Sequence, residues 1–447
     1  MRCCNVSPGN LAKRFSSRRY NVSTTVLRSL FLIALLSYGF SAEARSQANG
    51  LGGYAIDFVA LNSDSGNADC GKAPKSAPIC RVRVAPDVHE MELLLASGEH
   101  VSRRGDSLMF VYRGEAMRVW LRGGLQYPLS RVVGTDLWTI TLRVEKLDEL
   151  AFSYTFAPGD LGPTDLPEPI EWRGPLAPAG PQRVDVLQGT LVERILQSAI
   201  LQDTRSLSIY EPPAVAQRPL VGVVYAADGK SVERFAKVVE PLIISGSLPR
   251  FVLVGIHAAQ GQRRSYEYVF GLKRDNAAFL AHEQFLMEEV MPLVERSYAV
   301  PRTAASRTLL GYSNGADWAV ATALRNPRAF NNVIALSPSW PAPIAQPSEA
   351  RRVAFFIGAG TLEPNFHKSA LEMSALFKVH GVVHRMRQGL RGHDMTQWEG
   401  LLPESLMWTF GREGRAETGP LTNRPSASFH TAVTMHSGPK KYCSGLF

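Results

Sequence analysis

Cysteine is scarce, with five in 447 residues, too few for a disulfide-dense scaffold. No Cys/His spacing resembles a zinc site, so no metal and no organic cofactor is expected. Long apolar runs are scarcer still. The one near the N-terminus, Leu30 to Phe40, has eleven residues, too few to cross about 30 Å of hydrocarbon as a helix. No stable membrane anchor follows. Internal repeats are absent, and no long basic run is present. The net charge of +9 looks basic, but the first 44 residues hold six basic side chains against Glu43, which leaves +4 for the remainder. No nucleic-acid footprint remains in that charge. What is present is ordinary: 45% hydrophobic and 20% charged residues, the make-up of a globular chain able to bury a sizeable core. At about 100–200 residues per domain, two or three domains are expected.

The leader has a purpose of its own. A positive segment ending at Arg28, the short apolar core and Ser41-Ala-Glu-Ala44 together describe a secretory signal, 1–44, cleaved after Ala44. An exported protein, periplasmic or secreted, is therefore expected, and no Cys follows the apolar run to take a lipid. Cys3 and Cys4 leave with the leader, and Cys443 has no evident partner. Cys70 and Cys80 bracket a polar loop, and an oxidising compartment favours pairing them.

Residues 50–156 read as a small β-sandwich. Ser107–Tyr112, Met117–Leu121, Leu137–Val144 and Leu150–Phe156 are rich in β-branched and aromatic residues, several alternate apolar with polar, and Gly123-Gly124 and Gly134-Thr-Asp136 supply turns. Trp120, Trp138 and Tyr154 fit core packing better than a ligand platform. Seven prolines in 157–182 make a stiff linker. Beyond it, 183–411 alternates short apolar strands (220–225, 251–256, 307–310, 333–336, 353–357) with helical patterns at 231–244, 276–297, 315–325 and 367–379. Nearly continuous apolar strands are those buried on both faces of a parallel sheet, so the expectation is an α/β sheet with helices on both sides. Residues 412–447 are polar and rich in Gly, Pro, Ser and Thr, the composition of a mobile tail.

The chemistry is announced by Gly311-Tyr-Ser313-Asn-Gly315. The pentapeptide alone is a weak signal; its context raises it. An apolar strand enters it and a helical segment leaves it, which sets Ser313 on a strained elbow at a strand's carboxyl end. A serine hydroxyl is a poor nucleophile until a base takes its proton. His393, in Gly392-His-Asp394, is the best-placed base, on a loop between a strand-like and a helical segment. His384 lies in a strand, His367 and His380 in or beside a helix, and His430 and His436 in the tail. A carboxylate must hold the base in one tautomer. Glu363 follows a strand end, whereas Glu349 precedes that strand, Glu372 is deep in a helix, and Asp394 adjoins the histidine. The backbone N–H groups of Asn314 and Gly229 are the expected oxyanion donors, Asp228 serving the turn.

These residues are familiar in this order. Tyr225-Ala-Ala-Asp-Gly229, Arg264-Ser-Tyr-Glu-Tyr268, Pro292-Leu-Val-Glu-Arg-Ser-Tyr298, Arg307 through Gly315, Gly360-Thr-Leu-Glu-Pro364 and Gly392-His-Asp394 with Trp398 resemble the enterochelin (ferric siderophore) esterase family of α/β-hydrolases over roughly 205–410. Gly134-Thr-Asp-Leu-Trp138 and Phe152-Ser-Tyr154 resemble the sandwich that precedes the hydrolase there. The resemblance implies a serine esterase acting on a small-molecule ester, a ferric catecholate siderophore in some members. Any iron would arrive with the substrate. Arg264, Trp398 and His257 are the expected substrate-binding residues, with Arg264 also bridging to Glu267. Asp317 stands where a small residue is common, and His257 where an acidic one is often found. An acyltransferase or a carbohydrate-ester (feruloyl or acetyl) esterase would use the same triad. A silent binding protein, using the sandwich for a glycan, is the alternative of another class.

Overall fold

The computed structural model describes residues 69–73, 77–159, 166–215, 218–339 and 344–411. The expected leader, Cys443 and the tail lie outside these. Nine strands come before the hydrolase region: β1 (Ile79–Arg81), β2 (Val101–Arg104), β3 (Ser107–Arg113), β4 (Val119–Gly123), β5 (Tyr127–Pro128), β6 (Ser130–Arg131), β7 (Leu137–Val144), β8 (Ala151–Pro158) and β9 (Ile170–Arg173). All pair antiparallel in two sheets, β1-β7-β3-β2 with β6 on β7, and β5-β4-β8-β9. Alternation explains why they pack. Along β7, Trp138, Ile140, Leu142 and Val144 are buried while Thr139, Thr141 and Arg143 are less so. The inward residues join Phe110, Leu121, Phe152 and Tyr154 in one core. Trp138 and Tyr154 are thus core residues, as their spacing suggested, while half-buried Trp120 carries the Arg122 guanidinium 4.9 Å from its ring centre. Cys70 and Cys80 are joined in a disulfide with Cα atoms 5.0 Å apart.

Two elements before residue 183 depart from the sequence reading. A helix, Val88–Ala96, starts at Asp87, whose side chain accepts from Glu90 N–H. The proline-rich stretch is also more than a linker: β9 lies inside it and pairs with β8 from Ala151–Arg173 to Tyr154–Ile170. The strand itself, Ile-Glu-Trp-Arg, holds no proline; Pro169 stands just before it, where no ladder N–H is lost.

The hydrolase sheet has eight strands: β10 (Thr190–Ser198), β11 (Asp203–Glu211), β12 (Leu220–Ala226), β13 (Arg250–Ile256), β14 (Arg307–Tyr312), β15 (Asn332–Leu336), β16 (Ala354–Gly360) and β17 (His384–Gly389). Their order is β10-β11-β13-β12-β14-β15-β16-β17. The hairpin β10–β11 and the β11–β13 pair are antiparallel, and all other pairs are parallel. This is the α/β-hydrolase arrangement. Alternate residues of β12 feed opposite faces: Val223 and Tyr225 enter one core, Val224 and Ala226 the other. Helices Gln262–Tyr268, Ala277–Phe285 and Asn314–Arg325 cover the first face, and Val232–Ser245 and Met395–Phe410 the second. The hairpin β10–β11 is missing from the sequence reading because neither strand is continuously apolar: β10 is largely exposed, with Glu193 and Arg194 between Leu191 and Ile195, and only β11 alternates, burying Arg205, Leu207 and Ile209. The helical pattern 276–297 contains a π-helical turn, Leu286–Val290, just before Pro292. Proline lacks the N–H a regular helix would use there.

Candidate active site

Strand β14 ends at Tyr312, and the next residue, Ser313, has φ 54° and ψ −136° before the helix Asn314–Arg325 begins. This is backbone a serine avoids unless its surroundings impose it. The flanking glycines permit the turn by their missing side chains. A Cβ on Gly311 would lie 1.9 Å from the Gly315 carbonyl oxygen, and one on Gly315 would lie 2.8 Å from the Ala227 Cβ. The elbow is tied to the neighbouring strand by Ser313 N–H, which donates to Leu336 C=O at 2.9 Å.

The structure brings together the three groups that the sequence spreads over some eighty positions. Ser313 Oγ is 3.1 Å from His393 Nε2, and His393 Nδ1 is 2.6 Å from Glu363 Oε2. All three residues are at most 5% exposed. Glu363 starts the helix Pro364–His380, but its carboxylate does not cap that helix. Its Oε1 instead accepts from Ser337 Oγ at 2.8 Å, Gly360 N–H at 2.6 Å and Gln397 Nε2 at 2.6 Å. Three donors on one oxygen and the imidazole on the other fix this buried carboxylate in a single orientation. The imidazole is clamped in turn: the Phe366 ring stacks on it at 3.8 Å, and Trp398 meets it edge-on at 5.0 Å. Ser337, Gln397 and Phe366 were not singled out from the sequence. Only Gln397 left a trace, four residues after His393 on the following helix; Ser337 and Phe366 become neighbours through tertiary packing alone.

Trp398, expected to bind substrate, packs against the relay itself. It is buried, stacks on Tyr312 at 4.1 Å and donates from Nε1 to Ser337 Oγ at 2.9 Å. It props the imidazole from behind. The expected Arg264–Glu267 bridge is also replaced. Arg264 forks onto Asp228, Nε to Oδ1 at 2.7 Å and a terminal nitrogen to Oδ2 at 2.8 Å, whereas Glu267 takes Arg205 and Arg263. Residues three apart on the short helix Gln262–Tyr268 each found a stronger partner across the fold. Burial opposes the Arg264 charge, yet the Asp228 carboxylate outweighs it and holds the guanidinium protonated above its ordinary range. Its fork on Asp228 ties this guanidinium to the turn that carries Gly229.

Asp228 occupies the left-handed region at φ 54°, and its N–H donates to Tyr268 Oη at 3.0 Å. Gly229 follows, packed so closely that a Cβ would sit 2.3 Å from the His257 ring and 2.7 Å from the Gly255 carbonyl oxygen. His257 is half-buried, bonded through Nε2 to Ser208 Oγ at 2.7 Å, and burial lowers its pKa. It packs over the Gly229 turn and is tied to Ser206 and Ser208 of β11 rather than to the Ser313 relay. Asn314 is buried, and its side-chain amide donates to Ser265 Oγ at 3.2 Å. Asp317 answers for its unusual place. Its carboxylate accepts from Ser339 N–H at 2.8 Å and from the Ser339 hydroxyl, tying the segment after β15 to the helix behind Ser313. Among the described residues no group of three or more His, Cys, Asp or Glu side chains is placed to hold a metal ion.

A buried hydroxyl on a strained strand–helix elbow, bonded to an imidazole that a carboxylate orients, can attack a carbonyl carbon and move one proton. On an eight-stranded sheet of this order, it defines an α/β-hydrolase. The family model described as putative esterase matches residues 198–409, and this domain belongs to that family. The chain is thus a carboxylic ester hydrolase. Among curated proteins, the uncharacterized protein YjcH of Bacillus subtilis (strain 168) is 25% identical over 186 residues, which is 40% of this chain and 76% of its own length. The enterochelin esterase of Shigella flexneri superposes with a TM-score of 0.53 at 20% identity, covering 71% of this chain and 97% of its own. The ferric enterobactin esterase of Salmonella typhimurium gives 0.51 at 20% identity, covering 69% and 95%. At such identities the likeness is one of fold.

Proposed function

We propose that the protein is an exported serine esterase in which Ser313 attacks the ester carbonyl, His393 carries the proton and Glu363 orients it. The Ser313–His393–Glu363 relay, with contacts of 3.1 and 2.6 Å, carries this reading. In the first half-reaction the Ser313 hydroxyl gives its proton to His393 Nε2 as its oxygen bonds to the carbonyl carbon. The oxyanion accepts from the N–H groups of Asn314 and Gly229. The intermediate then collapses, the C–O bond to the alcohol breaks, and the imidazolium protonates that leaving alcohol. Water repeats the sequence on the acyl-enzyme and frees the acid. Glu363 stabilises the imidazolium throughout without taking its proton.

The substrate proposed is a trilactone of the enterochelin type, presented as its ferric complex, so that iron is cargo rather than cofactor. The support is the pairing of a sandwich with the hydrolase sheet, a fold shared with the Shigella flexneri enterobactin esterase solved in the presence of enterobactin. The leader supports export, with Arg45 as the mature N-terminus. The test is hydrolysis of a short-chain p-nitrophenyl ester by the purified protein and by Ser313→Ala. A loss of about 10⁶ in turnover is expected for a missing nucleophile, and equal rates refute the mechanism. Side-by-side rates on ferric trilactone, a feruloyl ester and acetylated xylan decide the substrate; a faster rate on either of the last two refutes the trilactone.

A further inference from the structure

Two members of the relay reach the site on loops that rest on the sandwich. Leu362, one residue before Glu363, is 4% exposed and belongs to the sandwich core beside Phe110, Leu121 and Phe152. Leu390, in the loop that leads to His393, packs against that same core. Gly392 lies against the turn after β4 with no room to spare: a Cβ there would fall 1.8 Å from the Gly124 carbonyl oxygen. On the other side of His393, Asp394 is buried, and its Oδ2 accepts from Ser153 N–H of β8 at 2.5 Å and faces Ser153 Oγ at 3.2 Å. Gly124 N–H donates to Ser153 C=O at 2.8 Å, so the two sandwich contacts belong to one rigid corner. Asp394 Oδ1 accepts from Gln397 N–H at 3.0 Å, and Gln397 Nε2 donates to Glu363 Oε1 at 2.6 Å. A chain of bonds thus runs from the sandwich through Asp394 to the carboxylate.

Ser313 is held differently. It hangs from β14, the helix behind it and Leu336 of β15, all parts of the hydrolase sheet. We infer that the sandwich is the mould for the acid and base loops: it sets His393 and Glu363 against a serine that the hydrolase sheet places independently, with Gly124, Ser153 and Asp394 as positioning residues. The inference rests on the proposed relay and gives the sandwich a role in turnover that needs no contact with substrate.

The decisive variant is Gly124→Ala, a change in the sandwich alone. Its Cβ would lie 2.8 Å from Asp394 Oδ2 and 2.7 Å from Phe152 Cβ, pressing the seat of His393 outward. A displacement near 1 Å in a catalytic group costs about 10² in rate. On a p-nitrophenyl ester, Gly124→Ala should lose about 100-fold in kcat with KM unchanged, and the acid limb of its kcat/KM profile should move because the imidazole's partner has moved. Leu142→Ala, in the sandwich core but on β7, in the sheet that carries neither the Gly124 turn nor Ser153, should lower Tm while leaving kcat and the acid limb as in the wild type. If Gly124→Ala does not fold, Leu362→Ala takes its place with the same readouts. Wild-type kcat in the folded variant, or an equal loss in Leu142→Ala at a temperature where it stays folded, overturns the inference. Ser313→Ala in the same series separates this from failure of the relay itself: an active Ser313→Ala removes the proposed mechanism, while an inactive one beside an undisturbed Gly124→Ala removes only the mould.

Discussion

Replacing Glu363 by Gln tests what the carboxylate does. Its Oε1 meets three donors, from Ser337, Gly360 and Gln397, and its Oε2 meets His393 Nδ1. A glutamine keeps its one carbonyl oxygen where the three donors converge, because turning the amide around would set an NH₂ against all of them. That choice leaves the NH₂ facing His393. Nδ1 must then accept instead of donating, so the ring proton moves to Nε2 and points at Ser313 Oγ. The base is in place and in the wrong tautomer. In a serine protease, the same kind of change costs about 10⁴ in kcat, which at about 1.36 kcal/mol per decade is about 5.5 kcal/mol of transition-state stabilisation. Steady-state kinetics of Glu363→Gln on a p-nitrophenyl ester should show that loss with KM within a few-fold of wild type and an unchanged circular dichroism spectrum. A folded Glu363→Gln within tenfold of wild-type kcat refutes the tautomer account, since the geometry would then be sufficient without the charge.

Two further expectations concern stability. Asp394 is buried, and burial pushes its carboxyl up to about 7 from 3.8, with the nearby Glu363 charge acting in the same direction and the Ser153 and Gln397 bonds opposing. The folded state therefore holds a proton that the unfolded state has released between those values, so this residue's contribution to stability is complete below the ordinary aspartate range and is lost as pH rises through about 7. A shift of that size is about 4 kcal/mol at most. Asp394→Asn has no such titration, so its Tm should gain on the wild type from pH 4 to about pH 7 and level off above that; a constant difference refutes the assignment. Arg264→Leu leaves Asp228 largely buried without its fork, and removing one partner of such a pair costs about 3 kcal/mol. The urea midpoint should fall accordingly, and an unchanged midpoint means the pair is bystander charge.

The parts legible in the sequence are those whose signal is local. The parallel strands announce themselves as apolar runs because both faces are covered, and the G-x-S-x-G elbow because its glycines and flanking elements are contiguous. His393 and Glu363 could be picked by elimination, since each had to sit on a loop after a strand. Pairings between distant segments were not legible. Nothing local tells Arg264 to choose Asp228 over Glu267, and nothing in Ser337 or Phe366 marks them as neighbours of the base. The hairpin β10–β11 at the sheet's rim is illegible for a different reason: neither strand is a continuous apolar run, since β10 sets Glu193 and Arg194 between exposed Leu191 and Ile195 and β11 alternates polar with apolar residues.

That rim has a consequence for how the molecule behaves in company. An open sheet edge invites a strand from another copy, and chains that leave one bare tend to aggregate. At one end of the hydrolase sheet β17 carries Arg385 and Arg387, both drawn to Glu404, and at the other β10 carries Glu193 and Arg194 side by side. A second molecule approaching the β17 rim would have to strip water from those charges before pairing, whereas β10 exposes Ile195 and Leu191 beside its charged pair and is the less guarded of the two rims.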